Sequence, residues 1–188
     1  MITRPGKSLL LAALLPLCAC GASPPKVADV RAQPAPEYQK LKVWVGDWTY
    51  ESNNFESPLG PAGKVTGTAT IRMIQGGYFV EWVGEDRGPA GVSRWREIDG
   101  YDGVARKYYW QAFGDDGSHH AATYTLEGTT MRYTGTVTLK DRSFQIRGVG
   151  VFAPDGKSYT EKREVSVDGE TWKPLWEGKW TKVKEIPA

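Results

Sequence analysis

Met131-Arg-Tyr-Thr-Gly-Thr-Val-Thr-Leu139 and, two residues on, Arg142-Ser-Phe-Gln-Ile-Arg-Gly-Val-Gly-Val-Phe152 decide the fold. In the first run Met131, Tyr133, Gly135, Val137 and Leu139 fall on one side, and Arg132, Thr134, Thr136 and Thr138 on the other. In the second, Phe144 and Ile146 oppose Gln145 and Arg147. Successive side chains of a strand point to opposite faces, so this period of two reads as β-structure.

The same alternation extends outward in both directions. It predicts strands over 43–51, 64–74, 77–86, 92–98, 106–113, 118–127, 130–139, 142–152, 157–167 and 171–183. Turn-forming pairs separate them, among them Gly76-Gly77, Gly88-Pro89, Asp102-Gly103, Glu127-Gly128 and Asp168-Gly169. A single helical turn over Glu37–Lys42 precedes the strands, and no later segment holds a 3.6-residue period. About ten strands joined by hairpins make an antiparallel meander, and closing a meander removes its exposed edges. The expected fold is therefore all-β, an antiparallel up-and-down barrel of about ten strands, with a two-sheet sandwich as the alternative. Trp172, Trp176 and Trp180 are expected to share one face with Gly178. Which face lines the lumen is left open by the pattern.

The N-terminus reads differently. Arg4 and Lys7 precede an apolar run, Ser8–Leu17, that is far shorter than the roughly twenty residues of a spanning helix. It ends in Leu17-Cys18-Ala19-Cys20, which resembles the bacterial lipobox. That resemblance implies cleavage before Cys20 and lipid on its thiol. The alternative is an ordinary secretory signal cut between Ala19 and Ser23. Gly21, where an aspartate would retain the protein at the inner membrane, points to the outer membrane facing the periplasm. The expected organisation is a signal peptide over 1–19, a lipidated cysteine with a Pro/Ala-rich tether over 20–37, and a barrel over 38–188.

Losing Arg4 and Lys7 takes the basic residues from 24 to 22, equal to the 22 acidic ones. A neutral domain lacks the basic surplus that nucleic-acid binding needs. Cys18 and Cys20 are the only cysteines, so the domain holds no disulfide and its core alone must stabilise it. Eight Trp, nine Tyr and five Phe supply that core.

Trp44-Val-Gly-Asp-Trp48 contains Gly46-x-Trp48, which resembles the G-x-W signature on the first strand of lipocalin-type barrels. There the glycine permits close passage and the indole plugs the barrel floor, so Gly46 and Trp48 are expected to be structural. Gln75-Gly-Gly-Tyr-Phe-Val-Glu-Trp82, Ile98-Asp-Gly-Tyr-Asp102, Tyr109-Trp-Gln-Ala-Phe113, Phe152-Ala-Pro-Asp-Gly156 and Asp168-Gly-Glu-Thr-Trp172 through Trp180 sharpen the match. Together they look like the DUF1579 family, in the lipocalin-like (calycin) group, over about residues 38–184. The resemblance implies the fold and brings no common activity.

Charges inside strands are the candidates for a ligand site: Arg72, Glu81, Arg94, Arg96, Arg147, Glu161, Arg163 and Glu177. Glu81 stands out because Trp82 lies on the opposite face, so a covered Glu81 requires an arginine partner across the barrel. The expected ligand-binding set is Glu81, Arg96, Tyr109, Gln111, His119, Arg147 and Arg163. Tyr78, Tyr101 and Trp110 are further candidates for the cavity wall. His119 and His120, the only histidines, point to opposite faces of one strand and cannot join in a zinc site without other ligands. No metal or cofactor is expected. Haem, held by some ten-stranded relatives of lipocalins, would need an axial ligand that neither histidine supplies from the C-terminal segment.

No nucleophile elbow, P-loop or dinucleotide fingerprint is present. The first expectation is a membrane-tethered envelope lipoprotein that binds a small apolar or amphipathic ligand in its barrel. The second is a metal-independent enzyme of the cyclase, isomerase or hydratase type, with Glu81, His119 or a tyrosine as acid or base. The third is a structural envelope lipoprotein.

Overall fold

The computed structural model describes residues 34–187. The signal segment, Cys20 and most of the tether lie outside the described residues. The expected helical turn over Glu37–Lys42 is present as a short helix, α1 (Pro36–Lys40), which starts one residue earlier and continues into a 3-10 turn, Leu41–Trp44.

Ten strands follow: β1 (Gly46–Asn54), β2 (Gly63–Ile74), β3 (Phe79–Gly88), β4 (Gly91–Asp102), β5 (Lys107–Gly114), β6 (His119–Glu127), β7 (Thr130–Leu139), β8 (Arg142–Phe152), β9 (Ser158–Ser166) and β10 (Lys173–Lys184). Each pairs antiparallel with its sequence neighbours, and β1 pairs with β10 from Asp47–Lys184 to Asn54–Trp176. The sheet is therefore a closed up-and-down barrel, and the sandwich is excluded.

Two boundaries differ from the sequence reading for physical reasons. The first strand begins at Gly46, not residue 43, because Leu41 and Trp44 are buried on the barrel floor and the chain must turn there before it can climb. β4 runs to Asp102 rather than residue 98, since Asp99 to Asp102 stay paired with Trp110 to Lys107.

The floor is a plug. Trp44 packs on Trp82, Phe152 and Tyr159 with ring centroids 4.8, 4.4 and 4.9 Å apart. Trp48, 1% exposed, donates its indole N–H to the Trp44 carbonyl at 2.7 Å. Gly46 has φ +146°, and a Cβ there would sit 2.7 Å from the Lys184 carbonyl. The glycine lets β1 cross close to the end of β10, a passage that a side chain would block.

The lumen face is the aromatic one. Tyr133 lies over Gly148 and Tyr159 over Gly150, each ring resting where the glycine leaves a gap on the neighbouring strand. Such glycine–aromatic pairs give a barrel its curvature while keeping its interior filled. In β10 the register shifts between Pro174 and Trp176. This bulge breaks the expected three-tryptophan face: Trp176 and Trp180 line the lumen, whereas Trp172 lies beyond the strand with the Arg147 guanidinium 4.2 Å above its ring.

Candidate functional site

The lumen opens at the end opposite the Trp44 plug, between the loops that follow β1, β3, β5, β7 and β9. A cavity of about 380 Å³ descends from there. Phe55, Leu59, Pro89, Leu139 and Leu175 form its mouth, and Trp82, Trp95, Trp110, Trp176 and Trp180 its wall. Polar groups face it along its length: Asp86 and His120 nearer the mouth, and Glu97, Asp99, Glu161 and Arg163 further in.

On β9, Glu161 and Arg163 are two residues apart and so share the inner face. Arg163 Nη2 donates to Glu161 Oε1 at 3.1 Å, and Arg163 Nε donates to the Tyr133 hydroxyl at 2.6 Å. That hydroxyl in turn donates to Glu161. The guanidinium lies 5.6 Å from the Trp110 ring centroid and 5.3 Å from that of Trp176. Burial alone would lower the Arg163 pKa, but the neighbouring Tyr133 and Glu161 raise it, so it stays charged. Burial, with Glu161 beside it, pushes the Tyr133 hydroxyl well above the usual phenol range even against the lowering effect of Arg163. The three side chains form a ring of mutual hydrogen bonds through Arg163 Nε, Arg163 Nη2, the Tyr133 hydroxyl and Glu161 Oε1.

Opposite, on β4, the situation differs. Asp99 is 2% exposed. Its Oδ2 accepts from the Tyr124 hydroxyl at 2.7 Å. The Glu97 carboxyl and the Trp82 indole lie beside the Asp99 carboxyl, yet its Oδ1 meets no donor with good hydrogen-bond geometry. Trp82 Nε1 is likewise buried without a partner. Burial raises Asp99 to about 7, against the lowering effect of the Tyr124, Glu97 and Trp82 contacts. Glu97 is pushed well above its usual range by burial and then by the adjacent Asp99 charge. Two carboxyls this close in a dry site do not both ionise readily, so they hold a proton near neutral pH.

Nearer the mouth, Asp86 Oδ1 accepts from Trp95 Nε1 at 2.7 Å. Burial raises the Asp86 pKa, with the Tyr50 and Trp95 contacts opposing. His120 is lowered to about 4, mainly by burial and then by Arg163, and is neutral. No group of three His, Cys, Asp or Glu among the described residues is arranged to hold a metal ion.

Of the seven residues expected at a ligand site, Arg163 faces the lumen and the other six do not. Glu81 pairs with Arg96 at 3.5 Å across β3 and β4 on the outer wall, so its partner is a neighbour rather than a residue across the barrel. Arg147 bonds Glu164 at 2.6 Å outside. Gln111 is exposed. Tyr109 is half-buried on the outer side with its hydroxyl over Gly100. His119 stacks on Phe113 outside, 5.0 Å between ring centroids, while His120 turns inward 6.2 Å from Trp110. Tyr78 and Tyr101 pack around Tyr38 instead of the cavity wall.

Asp86, Glu97, Asp99 and Tyr124 were missed. The signal was there: Trp95, Glu97, Asp99 and Tyr101 share one parity, and the outer two are aromatic. Ending the strand at residue 98 cut that pattern in half.

A closed ten-stranded antiparallel barrel with a plugged floor and a polar-based lumen is consistent with a lipocalin-like fold. The chain belongs to the family described as "Protein of unknown function (DUF1579)", whose model matches residues 33–186. Among solved structures it is similar to Rv2717c from M. tuberculosis, at 12% identity and a TM-score of 0.56, covering 79% of this chain and 98% of that one. At that identity the likeness shows the fold alone. A DUF3598-family protein of unknown function from Nostoc punctiforme PCC 73102 aligns over 80% of this chain and 100% of its own. Its 9% identity and TM-score of 0.22 carry no argument. No curated protein matches the chain.

Proposed function

We propose that this protein is an envelope lipoprotein, lipidated on Cys20 and held at the outer membrane facing the periplasm, whose barrel binds a small amphipathic ligand. The apolar body sits among the mouth and wall residues and the polar head reaches the Glu97–Asp99 pair. The observation that carries this is the cavity of about 380 Å³ whose lining combines the five wall tryptophans, Phe55, Leu59 and Leu175 with a few buried polar groups. Small-molecule sites combine an apolar wall with few placed polar groups, and barrel mouths are common places for them. A lumen packed solid with side chains would have supported a structural role instead.

The test is mass spectrometry of lipophilic molecules that copurify with the native protein. A reproducible compound is expected, and it should be lost in Ala112→Trp, which fills the lumen from a wall position. Recovery of the same compound from that variant places it elsewhere, and no bound compound from either protein removes the carrier reading.

A second reading rests on one observation, the raised carboxyl pair. A buried acid poised at about 7 is suited to proton transfer. The metal-independent enzyme therefore keeps a place, with Glu97 and Asp99 in the acid–base role rather than Glu81 or His119. Conversion of the copurified compound, abolished in Glu97→Gln, would favour it over simple carriage.

A further inference from the structure

We propose that the head of the ligand is an organic cation, an amine or amidinium on an apolar body. This rests on the binding role of the lumen and names the class of molecule it takes. Three observations support it independently.

The first is charge. Asp86, Glu97, Asp99, Asp116 and Glu161 line the cavity against the single guanidinium of Arg163. That guanidinium is already committed to Glu161 and Tyr133. An anionic head would compete with Glu161 for that guanidinium in a lumen where carboxyl groups outnumber the one cation, so fatty acids and phosphates are disfavoured there. Charge-assisted hydrogen bonds are the strong ones, and the carboxyls with acceptor capacity to spare here are Glu97 and Asp99.

The second is the orphaned acceptor. Asp99 lines the cavity, and its buried Oδ1, although beside Glu97 and Trp82, meets no donor with good hydrogen-bond geometry. Leaving such an atom without a donor costs free energy, and native interiors rarely do so. An N–H-bearing head drawn onto the Glu97–Asp99 pair from the cavity would supply the missing donor.

The third is Arg163 itself. The lumen already holds one organic cation, seated on a carboxylate and lying near the rings of Trp110 and Trp176. Trp82, Trp95 and Trp180 offer the same aromatic wall on the Glu97 side. Aromatic faces attract cations, more so where water is excluded.

The proton held by the carboxyl pair is what a bound cation would replace. The groups facing that pair are Tyr124 and His120 from β6, Trp82 and Asp86 from β3, and Glu161 with Arg163 from β9. Of these His120 is neutral above about pH 4 and Arg163 stays charged throughout, so the change near neutrality belongs to the acids. Cation binding should therefore strengthen as pH rises through about 7 and release protons to the buffer.

The test uses three probes that share one body: phenylbutylamine, phenylbutanol and phenylbutyrate, titrated calorimetrically into the full chain at pH 8 and pH 5.5. The amine is expected to bind about tenfold or more tighter than the alcohol at pH 8, as a hydrogen bond to a charged group implies. The acid is expected to bind weakest. Glu97→Gln and Asp99→Asn should bring amine and alcohol to the same affinity, with folding checked by near-UV circular dichroism. Two variants are used so that a folding defect in one leaves the other decisive. If alcohol or acid binds as tightly as the amine, or if the preference survives in a folded variant, the cation inference falls while the cavity reading stands. If none of the three binds at either pH, both fall together.

Discussion

Replacing Arg163 with methionine keeps most of the stem and removes the charge. What remains is Glu161, its side chain 6% exposed, with the Tyr133 hydroxyl as donor and no cation. Breaking a buried ion pair by removing one member costs about 3–5 kcal/mol, because the survivor is left desolvated and uncompensated. The stranded carboxylate has one escape, which is to take up a proton. For an ordinary glutamic acid that costs about 3.7 kcal/mol at pH 7, decreasing by about 1.4 kcal/mol for each pH unit downward. Both routes give a loss of about 3–4 kcal/mol at neutral pH that shrinks to about 1 kcal/mol near pH 5. The double variant Arg163→Met with Glu161→Gln removes the stranded charge and keeps an acceptor for Tyr133. It should be more stable than Arg163→Met alone, with a coupling of about 2–3 kcal/mol in the double-mutant cycle. Urea unfolding followed by tryptophan fluorescence at pH 7.5, 6 and 5 reads all of this. A single-variant loss under about 1 kcal/mol, a loss that does not change with pH, or a double variant equal to the sum of its parts would refute the buried-pair account.

Three further outcomes follow from other parts of the barrel. Asp99 and Glu97 have folded pKa values raised above their unfolded ones, so their contribution to stability is complete below about pH 4 and is lost as pH rises, for Asp99 through about 7; His120 acts oppositely below pH 6.5, which leaves the acids alone above it. The urea midpoint should fall between pH 6.5 and 8 and flatten there in Asp99→Asn, and a rising wild-type midpoint would count against the raised carboxyls. Gly150→Ala places a methyl where the Tyr159 hydroxyl lies, so a loss of about 2–3 kcal/mol is expected by thermal unfolding, with Tyr159→Phe in the same chain recovering part of it; an unchanged midpoint would show that the ring is free to move. Glu81→Gln breaks only an exposed pair with Arg96, and chemical denaturation should register less than about 1 kcal/mol.

The sequence by itself determined the barrel. Ten strand positions, the hairpins between them and the division of β7 and β8 into two faces follow from a period of two, which is a local property of the chain; which of the two faces lines the lumen does not. Gly46-x-Trp48 together with segments spread from Gln75 to Trp180 was enough to identify the family. Only the tertiary structure decided which charges share the lumen. In a strand, a charged residue looks the same on either face, and what distinguishes Glu97 from Arg96 is the curvature of a closed sheet and the partner each meets across it. Glu81 illustrates this: its sequence neighbours are compatible with a covered site, yet barrel closure turns it outward onto Arg96. The bulge between Pro174 and Trp176 did the same to Trp172, changing its face through a register shift that no local pattern announced. The acid pair at the base of the cavity has the strongest bearing on function for that reason. It exists because β3, β4 and β6 converge there, and its proton is held by burial, which is a property of the folded barrel and of no segment alone.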